Sequence, residues 1–115
     1  MNSRQKGKRG ELLLAKELRF LGYENARRGV QYCGRTGAAD IVEALPGCHI
    51  ECKFVERLNL EDAYSQSSHD ARENEIPVVM HKKSRGKWMV TLSLEDFIEI
   101  FKEWEAGFDA TGKSS

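Results

Sequence analysis

The chain has 115 residues, a length typical of one domain with a single hydrophobic core. Hydrophobic residues make up 40% of the sequence and charged residues 31%, which favours a folded globular protein over a disordered one. The apolar runs are much shorter than the roughly 20 residues that a membrane span needs, and the basic segment 1–10 lacks the apolar stretch of a secretory signal. Three cysteines in no disulfide-scaffold spacing favour a reducing compartment, so we expect a cytoplasmic protein without membrane contact.

The net charge of zero hides an asymmetry between the two parts of the chain. Residues 1–37 hold nine Lys or Arg against three Asp or Glu, a balance of +6. Residues 38–115 hold nine against fifteen, a balance of −6. Such asymmetry is expected where one face of a protein meets a polyanion, although short charged runs also occur on ordinary solvated surfaces.

The first predicted element is a helix over 8–21 that stops at Gly22. Its buried stripe is expected to consist of Leu14, Leu18 and Leu21. Glu11 lies three residues before the first of these leucines, so its carboxylate is placed at the edge of the buried stripe and not on the solvent face.

A short strand over 26–28, a glycine-containing loop over 31–37 and a β-hairpin follow the helix. The hairpin strands are expected over 39–45 and 49–55, joined by a Pro-Gly turn. Side chains alternate between the two faces of a strand. The apolar face of the second strand is Cys48, Ile50, Cys52 and Phe54, and the opposite face is His49, Glu51 and Lys53. Two charged residues on one face of this strand require an explanation.

The remaining elements are a helix, two strands and a final helix. The middle helix is predicted over 60–74 with Asn59 as its N-cap, and the strands over 77–81 and 87–92. Ser93 is expected to cap the last helix. The apolar stripe of that helix is Phe97, Ile100, Phe101 and Trp104, and we expect Trp88 and Trp104 in the core. The order α-β-β-β-α-β-β-α predicts an α/β domain with a mixed sheet over 1–106 and a flexible tail over 107–115.

Three acidic residues and one lysine converge if these elements are correct. Asp40 begins the first hairpin strand, Glu51 and Lys53 share a face of the second, and Glu11 borders the helix stripe. Carboxylates are preferred ligands of Mg²⁺, and a lysine beside them can orient a water or offset charge on a phosphate. The pattern therefore predicts metal-assisted phosphodiester hydrolysis. An exposed Glu–Lys pair on an edge hairpin remains the alternative interpretation.

These segments resemble the PD-(D/E)XK nuclease superfamily, most closely its small Holliday junction resolvases of archaeal and phage type. The resemblance lies in KGKRGE at 6–11, GY at 22–23, AAD at 38–40 and IECK at 50–53. It implies a restriction-endonuclease-like αβββαβ core with a mixed central sheet, plus a C-terminal helix here. It further implies catalytic roles for Glu11, Asp40, Glu51 and Lys53. Ala39 replaces the proline that usually precedes the Asp, and Gln66 is the candidate for the polar residue that often completes such sites.

The resemblance implies a Mg²⁺-dependent, structure-selective endodeoxyribonuclease, with Mn²⁺ as a substitute ion and branched DNA as the substrate. The metal ligands would be Asp40, Glu51 and Glu11. A homodimer is expected because symmetric cleavage of a junction needs two sites. The alternatives are the same core acting on flaps or other DNA, as in virus-type replication-repair or restriction-like nucleases, and a non-catalytic DNA-binding module.

Basic residues before and after the first helix are candidates for sequence-independent phosphate contacts. They are Lys6, Lys8, Arg9, Arg27, Arg28 and Arg35. A solvated arginine pair and a basic arm are the alternatives for these residues.

Other reactive residues are weaker candidates. A zinc site is disfavoured because Cys48 and Cys52 face away from His49 on a strand, and such a site needs four converging ligands. Asp70 and its neighbouring histidine on the middle helix are expected to form an exposed polar face, with a supporting role in the site as the alternative. Tyr32 is expected to be a partly buried loop aromatic, with base stacking as the alternative.

Overall fold

The computed structural model describes residues 3–29 and 38–108, with side chains from residue 5 onward. Its elements follow the predicted order, which confirms an α/β fold with a mixed sheet and a C-terminal helix. The helices and strands are α1 (Ser3–Phe20), β1 (Arg27–Arg28), β2 (Ile41–Val42), β3 (Cys48–Phe54), α2 (Leu60–Asp70), β4 (Ile76–Lys82), β5 (Met89–Thr91) and α3 (Leu94–Ala106). None of these helices combines the length and apolarity needed to cross a bilayer.

The five strands form one sheet in the order β1-β2-β3-β4-β5. β3 and β4 are parallel, and every other neighbouring pair is antiparallel. A parallel pair needs a crossover connection, and α2 supplies it. β3 is therefore the central strand, with strands on both sides.

Helices cover both faces of β3, which explains why both of its faces are buried. On one face, α1 packs its leucines against the apolar side chains of β2, β3 and β4; this core contains Leu14, Leu18, Ile41, Ile50, Cys52, Val78 and Met80. On the other face, the buried Ser67 of α2 lies with its hydroxyl 3.1 Å from the carbonyl oxygens of both His49 and Val78. A small side chain at this position lets α2 approach the sheet closely.

The first helix differs from the prediction at both ends. It begins at Ser3, five residues before the predicted start, because the Lys, Arg and Gln residues there are good helix formers. It ends at Phe20, and Gly22 adopts the predicted left-handed conformation with φ of 120°. Leu21 was wrongly predicted to be buried: it lies beyond the last helical residue, so the helical period no longer sets its direction, and it is 65% exposed.

Two further element ends differ from the prediction. β2 stops at Val42 because Glu43 has a φ of 62°, which is incompatible with a strand. The Asn59 cap of α2 is confirmed, since its side-chain oxygen accepts from the Asp62 amide at 3.1 Å. α2 ends four residues before the predicted position because Ala71 returns to an extended conformation.

α3 forms with the predicted cap, in which the Asp96 amide donates to the Ser93 hydroxyl at 3.1 Å. The predicted burial of its apolar stripe is wrong, because no residue of α3 is buried. Trp104 is 56% exposed and its ring contacts Phe101 and Phe108 of its own segment, whereas Trp88 is half-buried against the core. The predicted tail lies outside the described residues from 109 onward, so its flexibility stays a prediction.

Candidate active site

The backbone around Asp40 fixes this carboxylate beside β3. The Asp40 amide donates to the Ile50 carbonyl at 2.9 Å, and the Asp40 carbonyl accepts from the Gly29 amide at 2.8 Å. The side-chain oxygen Oδ2 accepts from the Cys52 amide at 2.8 Å. Burial raises the pKa of Asp40, although the Cys52 amide and the charge of Lys53 act in the opposite direction. Asp40 is thus held between β1 and β3 with its carboxylate toward the second hairpin strand.

Glu51 is a buried acid on the central strand, with only 4% of its surface exposed. Burial raises its pKa to about 8, and the neighbouring Asp40 charge adds to the effect. The two carboxyl groups lie close enough for each to shift the pKa of the other. Two carboxyl groups in contact cannot both ionise without a large cost, so the pair shares a proton unless a cation offsets its charge.

Lys53 supplies the positive charge next to this pair. Its Nζ lies 3.9 Å from Oε1 of Glu51 and 3.5 Å from Oε1 of Gln66. Gln66 is on α2, so the helix that follows the hairpin reaches back over the predicted carboxylate face. The sequence-predicted set Asp40, Glu51, Lys53 and Gln66 is therefore brought together by three elements.

Glu11 lies at the rim of the site and not at its centre. Its carboxylate accepts a 2.9 Å hydrogen bond from Nε of Arg28, and burial raises its pKa against the influence of that guanidinium. The negative charge of Asp40 raises the pKa of Glu11 further, and the positive charge of Lys53 lowers it. Among residues 3–29 and 38–108, no group of three ligand residues that includes Glu11 has all its ligand atoms within 4.8 Å of one another. Glu11 as a direct metal ligand stays a prediction.

A glycine sets the distance between α1 and this rim. A Cβ atom at Gly10 would lie 2.6 Å from the Phe54 Cβ, closer than side-chain carbons approach. The helix therefore contacts the end of β3 through backbone at this point, and Glu11 follows immediately in the chain.

The donor set fits a hard divalent cation. Asp40 and Glu51 offer carboxylate oxygens, and burial raises the pKa of each carboxyl, so a cation beside the pair would stabilise its ionised form. A strand residue directs its N–H and C=O to the same side, so the Cys52 carbonyl faces the side on which its amide contacts Asp40. Two carboxylates plus a carbonyl leave positions for water and phosphate oxygens, as Mg²⁺ requires.

The fold brings two further residues to Glu51: His49, for which the sequence suggested no role, and Asp70, for which a supporting role was only the alternative to an exposed helix face. His49 and Asp70 lie with Glu51 in a group whose ligand atoms are all within 4.8 Å of one another. The signal for His49 was present in the strand alternation, which places it on the same face as Glu51. Asp70 is four residues after Gln66 on α2, a spacing that puts both side chains on one helix face.

The described candidate phosphate contacts lie on α1 and β1. Side chains of Lys6, Lys8 and Arg9 are exposed on α1 in the turns before Glu11, and Arg27 is exposed on β1. Arg28 is half-buried and occupied by its ion pair with Glu11. Arg35 and Tyr32 lie outside the described residues, so the predictions for them stay untested.

A second basic segment, not identified from the sequence, joins this surface. The β4–β5 connection carries Lys82, Lys83, Arg85 and Lys87. The Lys82 ammonium and the Arg9 guanidinium lie 5.7 and 5.9 Å from the centre of the Phe54 ring. The two basic segments therefore meet over one aromatic ring, although the second belongs to the part of the chain that is acidic overall.

Comparison with known proteins identifies a family for nearly the whole chain. A family model described as "Phage putative PDDEXK endonuclease" matches residues 2–111. No curated protein matches the sequence, and no solved structure matches the fold.

Proposed function

We propose that this chain, which belongs to the phage PD-(D/E)XK endonuclease family, hydrolyses DNA phosphodiester bonds with Mg²⁺ held by Asp40 and Glu51. The observation that carries the proposal is that the half-buried Asp40 carboxylate, held by the Cys52 amide at 2.8 Å, lies beside the buried Glu51, with the Lys53 ammonium 3.9 Å from Glu51. Mn²⁺ would substitute for Mg²⁺ because it accepts the same oxygen ligands. The site of action would be the cytoplasm of a prokaryotic host cell.

Each residue of the site has a distinct role in this proposal. Mg²⁺, when bound, supplies a Lewis acid that polarises the scissile phosphate and stabilises the charge of the transition state. Asp40 and Glu51 bind the ion, and the Cys52 carbonyl completes the protein ligands. Lys53 orients the attacking water or neutralises a phosphate oxygen, and its contact with Gln66 restricts the ammonium to this position.

Glu11 and Arg28 form the boundary between the metal site and the DNA path. Their ion pair leaves Glu11 partly shielded and brings a guanidinium next to the carboxylates. We propose that Arg28 exchanges Glu11 for a DNA phosphate when substrate binds, which frees Glu11 to interact with the site. Lys6, Lys8 and Arg9 then contact the backbone on one side, giving salt-dependent and largely sequence-independent affinity.

The proposed substrate is branched DNA, with a four-way junction as the favoured form, and the proposed active species is a homodimer. α3 supports a dimer because its apolar row is exposed in the single chain; Leu94, Phe97, Ile98, Ile100, Phe101 and Trp104 are each at least 39% exposed. The face of α2, by contrast, already contacts the sheet through Ala63 and Ser67. A second copy covering α3 would place two active sites in one particle, as paired cuts require.

Cleavage and binding by a matched pair of variants test this function. Wild type is expected to cut a labelled four-way junction with Mg²⁺ and not with EDTA. Asp40→Asn and Glu51→Gln remove ligand charge with little change in shape, so both should lose cutting while binding the junction as tightly as wild type. Retention of Mg²⁺-dependent cutting in either variant would remove that residue from the mechanism.

A substrate panel separates this function from the other two candidates. A junction resolvase cuts the four-way junction in preference to flaps, nicked duplex and linear duplex. Equal or better cutting of flaps or duplex would instead favour a repair-type or restriction-like nuclease with the same core. Binding without cutting on every substrate would indicate a non-catalytic DNA-binding module.

A further inference from the structure

His49 is a buried imidazole whose hydrogen bonding is incomplete. It lies on β3 with 2% of its surface exposed, and its Nε2 is buried without a hydrogen-bond partner in the described part of the chain. The other ring nitrogen, Nδ1, lies 3.8 Å from Oε1 of Glu75, which is longer than a hydrogen bond. A buried polar atom without a partner is costly, so such atoms in native proteins are expected to have a function or a bound partner.

Two carboxylates lie within ligand distance of this imidazole. A nitrogen of the His49 ring, an oxygen of Glu51 and an oxygen of Asp70 are all within 4.8 Å of one another. β3 places His49 and Glu51 two residues apart on one face, and α2 contributes Asp70 from its last turn. The Ser67 hydroxyl, 3.1 Å from the His49 carbonyl, ties that helix to this strand. The three side chains come from packed elements, so their arrangement does not depend on a loop.

The charges around His49 are unbalanced in the described structure. Glu51, Asp70 and Glu75 surround the ring, while the Lys53 ammonium contacts Glu51. That ammonium also contacts Gln66, with its Nζ 3.5 Å from the amide oxygen. One positive charge at the orphaned nitrogen would satisfy the ring and reduce the repulsion among these acids.

We propose that His49, Glu51 and Asp70 form a second cation site, distinct from the Asp40–Glu51 site and selective for a first-row transition divalent ion. One imidazole nitrogen with two carboxylates suits ions such as Zn²⁺ or Co²⁺, whereas Mg²⁺ favours oxygen ligands alone. Glu75 then orients the ring through Nδ1, as a carboxylate commonly does for a metal-binding histidine. Glu51 is shared between the two sites, so an ion at the second site would also hold this acid in its ionised form.

The Asp40→Asn variant isolates the second site, because it removes a ligand of the first site only. The full-length variant, metal-free, is titrated with Zn²⁺ by calorimetry and with Co²⁺ by visible absorption. We expect one equivalent to bind with an affinity close to that of wild type. Adding His49→Gln or Asp70→Asn to this variant should weaken Zn²⁺ binding by at least about tenfold.

Matched controls separate the proposed site from adventitious binding. His69→Gln removes an exposed imidazole next to Asp70 on α2 and should leave Zn²⁺ affinity unchanged. The Co²⁺ spectrum should lack the charge-transfer band of a thiolate ligand, which excludes binding through Cys48 or Cys52. Circular dichroism of the metal-free variants establishes folding, and the exchange Asp70→Asn provides a milder test if His49→Gln does not fold.

Two results would overturn the proposal. One is Zn²⁺ binding that survives the loss of both His49 and Asp70, and the other is binding that disappears in Asp40→Asn alone. The second result would assign the ion to the Asp40–Glu51 pair. The outcome is independent of nuclease activity: a protein that binds Zn²⁺ through His49 but cuts no DNA would refute the proposed function and leave the second site intact.

Discussion

β3 and α3 depart from the usual distribution of side chains in opposite directions. β3 buries the imidazole of His49 and the carboxyl group of Glu51 at the centre of the sheet. α3 exposes a row of large apolar side chains and buries none of them. Buried charge and exposed apolar surface are both costly in an isolated domain. We propose that each region is completed by something outside the chain: a cation for β3, and a second copy for α3.

The comparison also separates catalysis from assembly. The carboxylate face of β3 lies under α2 on one side of the sheet, whereas α3 follows the edge strand β5. A change in α3 should affect the oligomeric state without altering the carboxylate geometry. A change on β3 should have the reverse effect.

The largest expected effect is on catalysis, from Lys53→Ala. Removal of the ammonium beside Glu51 should lower the single-turnover cleavage rate by about 10²–10⁴-fold, the range of a positioned proton-transfer or orienting group. Gln66→Ala, which removes the side chain that contacts Lys53, should cost about tenfold at most. Lys16→Ala removes an exposed lysine on α1 that belongs to none of the proposed contact sets, and is the control.

Junction binding measured in parallel distinguishes a catalytic effect from weaker affinity. Lys53→Ala should bind the junction within a few-fold of wild type. Cutting at the wild-type rate would exclude Lys53 from the mechanism and weaken the assignment of β3 as the catalytic strand.

The second effect is on assembly, from Phe101→Glu at the centre of the apolar row. Phe101 is 39% exposed and contacts Phe97 and Trp104, with ring centroids 5.9 and 5.1 Å away. The substitution should convert a dimer into a monomer without unfolding the domain. Light scattering measures the mass, and Glu103→Gln on the same helix is the control. A wild-type monomer, or a variant that remains dimeric, would contradict the role of α3.

The third effect is on stability, from Gly10→Ala. The new Cβ would lie 2.6 Å from the Phe54 Cβ and would force α1 away from β3. We expect a loss of about 1–3 kcal/mol in the free energy of unfolding, measured by urea denaturation. Gly7→Ala is the matched control, because a Cβ there meets no atom within 4 Å. That change should stabilise the helix by roughly 0.5–1 kcal/mol. Equal effects of the two changes would refute the close contact.

The smallest effect is the pH dependence of the metal-free protein. The pKa of Glu51 is about 8 in the folded chain against 4.5 when unperturbed. Between these values the folded state binds a proton that the unfolded state releases, so stability decreases as pH rises from about 4.5 to 8. Glu51→Gln removes the ionisable carboxyl and therefore this pH-dependent loss of stability. The Tm of the variant at pH 8 should be a few degrees higher than that of wild type. Scanning calorimetry in EDTA measures the two Tm values. A lower Tm in the variant would contradict a buried, protonated Glu51 in the folded protein.

The strand alternation on β3 could be predicted because it is local and depends only on the order of residues. That order alone puts Glu51 and Lys53 on one face, and the cap at Asn59 is equally readable from its neighbours. The same alternation contains His49, whose proposed role was not foreseen because the cysteines beside it face the opposite way. Its importance depends on Asp70, and only the crossover geometry of α2 brings that residue close.

Whether the apolar stripe of a helix is buried in the core could not be predicted. A helical period shows that one face is apolar, but it does not show what packs on that face. The stripes of α1 and α3 have the same spacing, yet Leu14 is buried and Phe101 is exposed. The predicted burial of Leu21 was wrong for a different reason, because α1 ends at Phe20, one residue before it. The basic β4–β5 connection was missed because counting charge over long segments hides a short cluster of opposite sign.

The most direct test of the central claim is an anomalous difference map from a crystal of the protein soaked in Mn²⁺. The account predicts a peak within coordination distance of both the Asp40 and Glu51 carboxylates, adjacent to the Lys53 ammonium, and loss of that peak in Asp40→Asn. Carboxylates that remain paired with each other and bind no ion at saturating Mn²⁺ would contradict it.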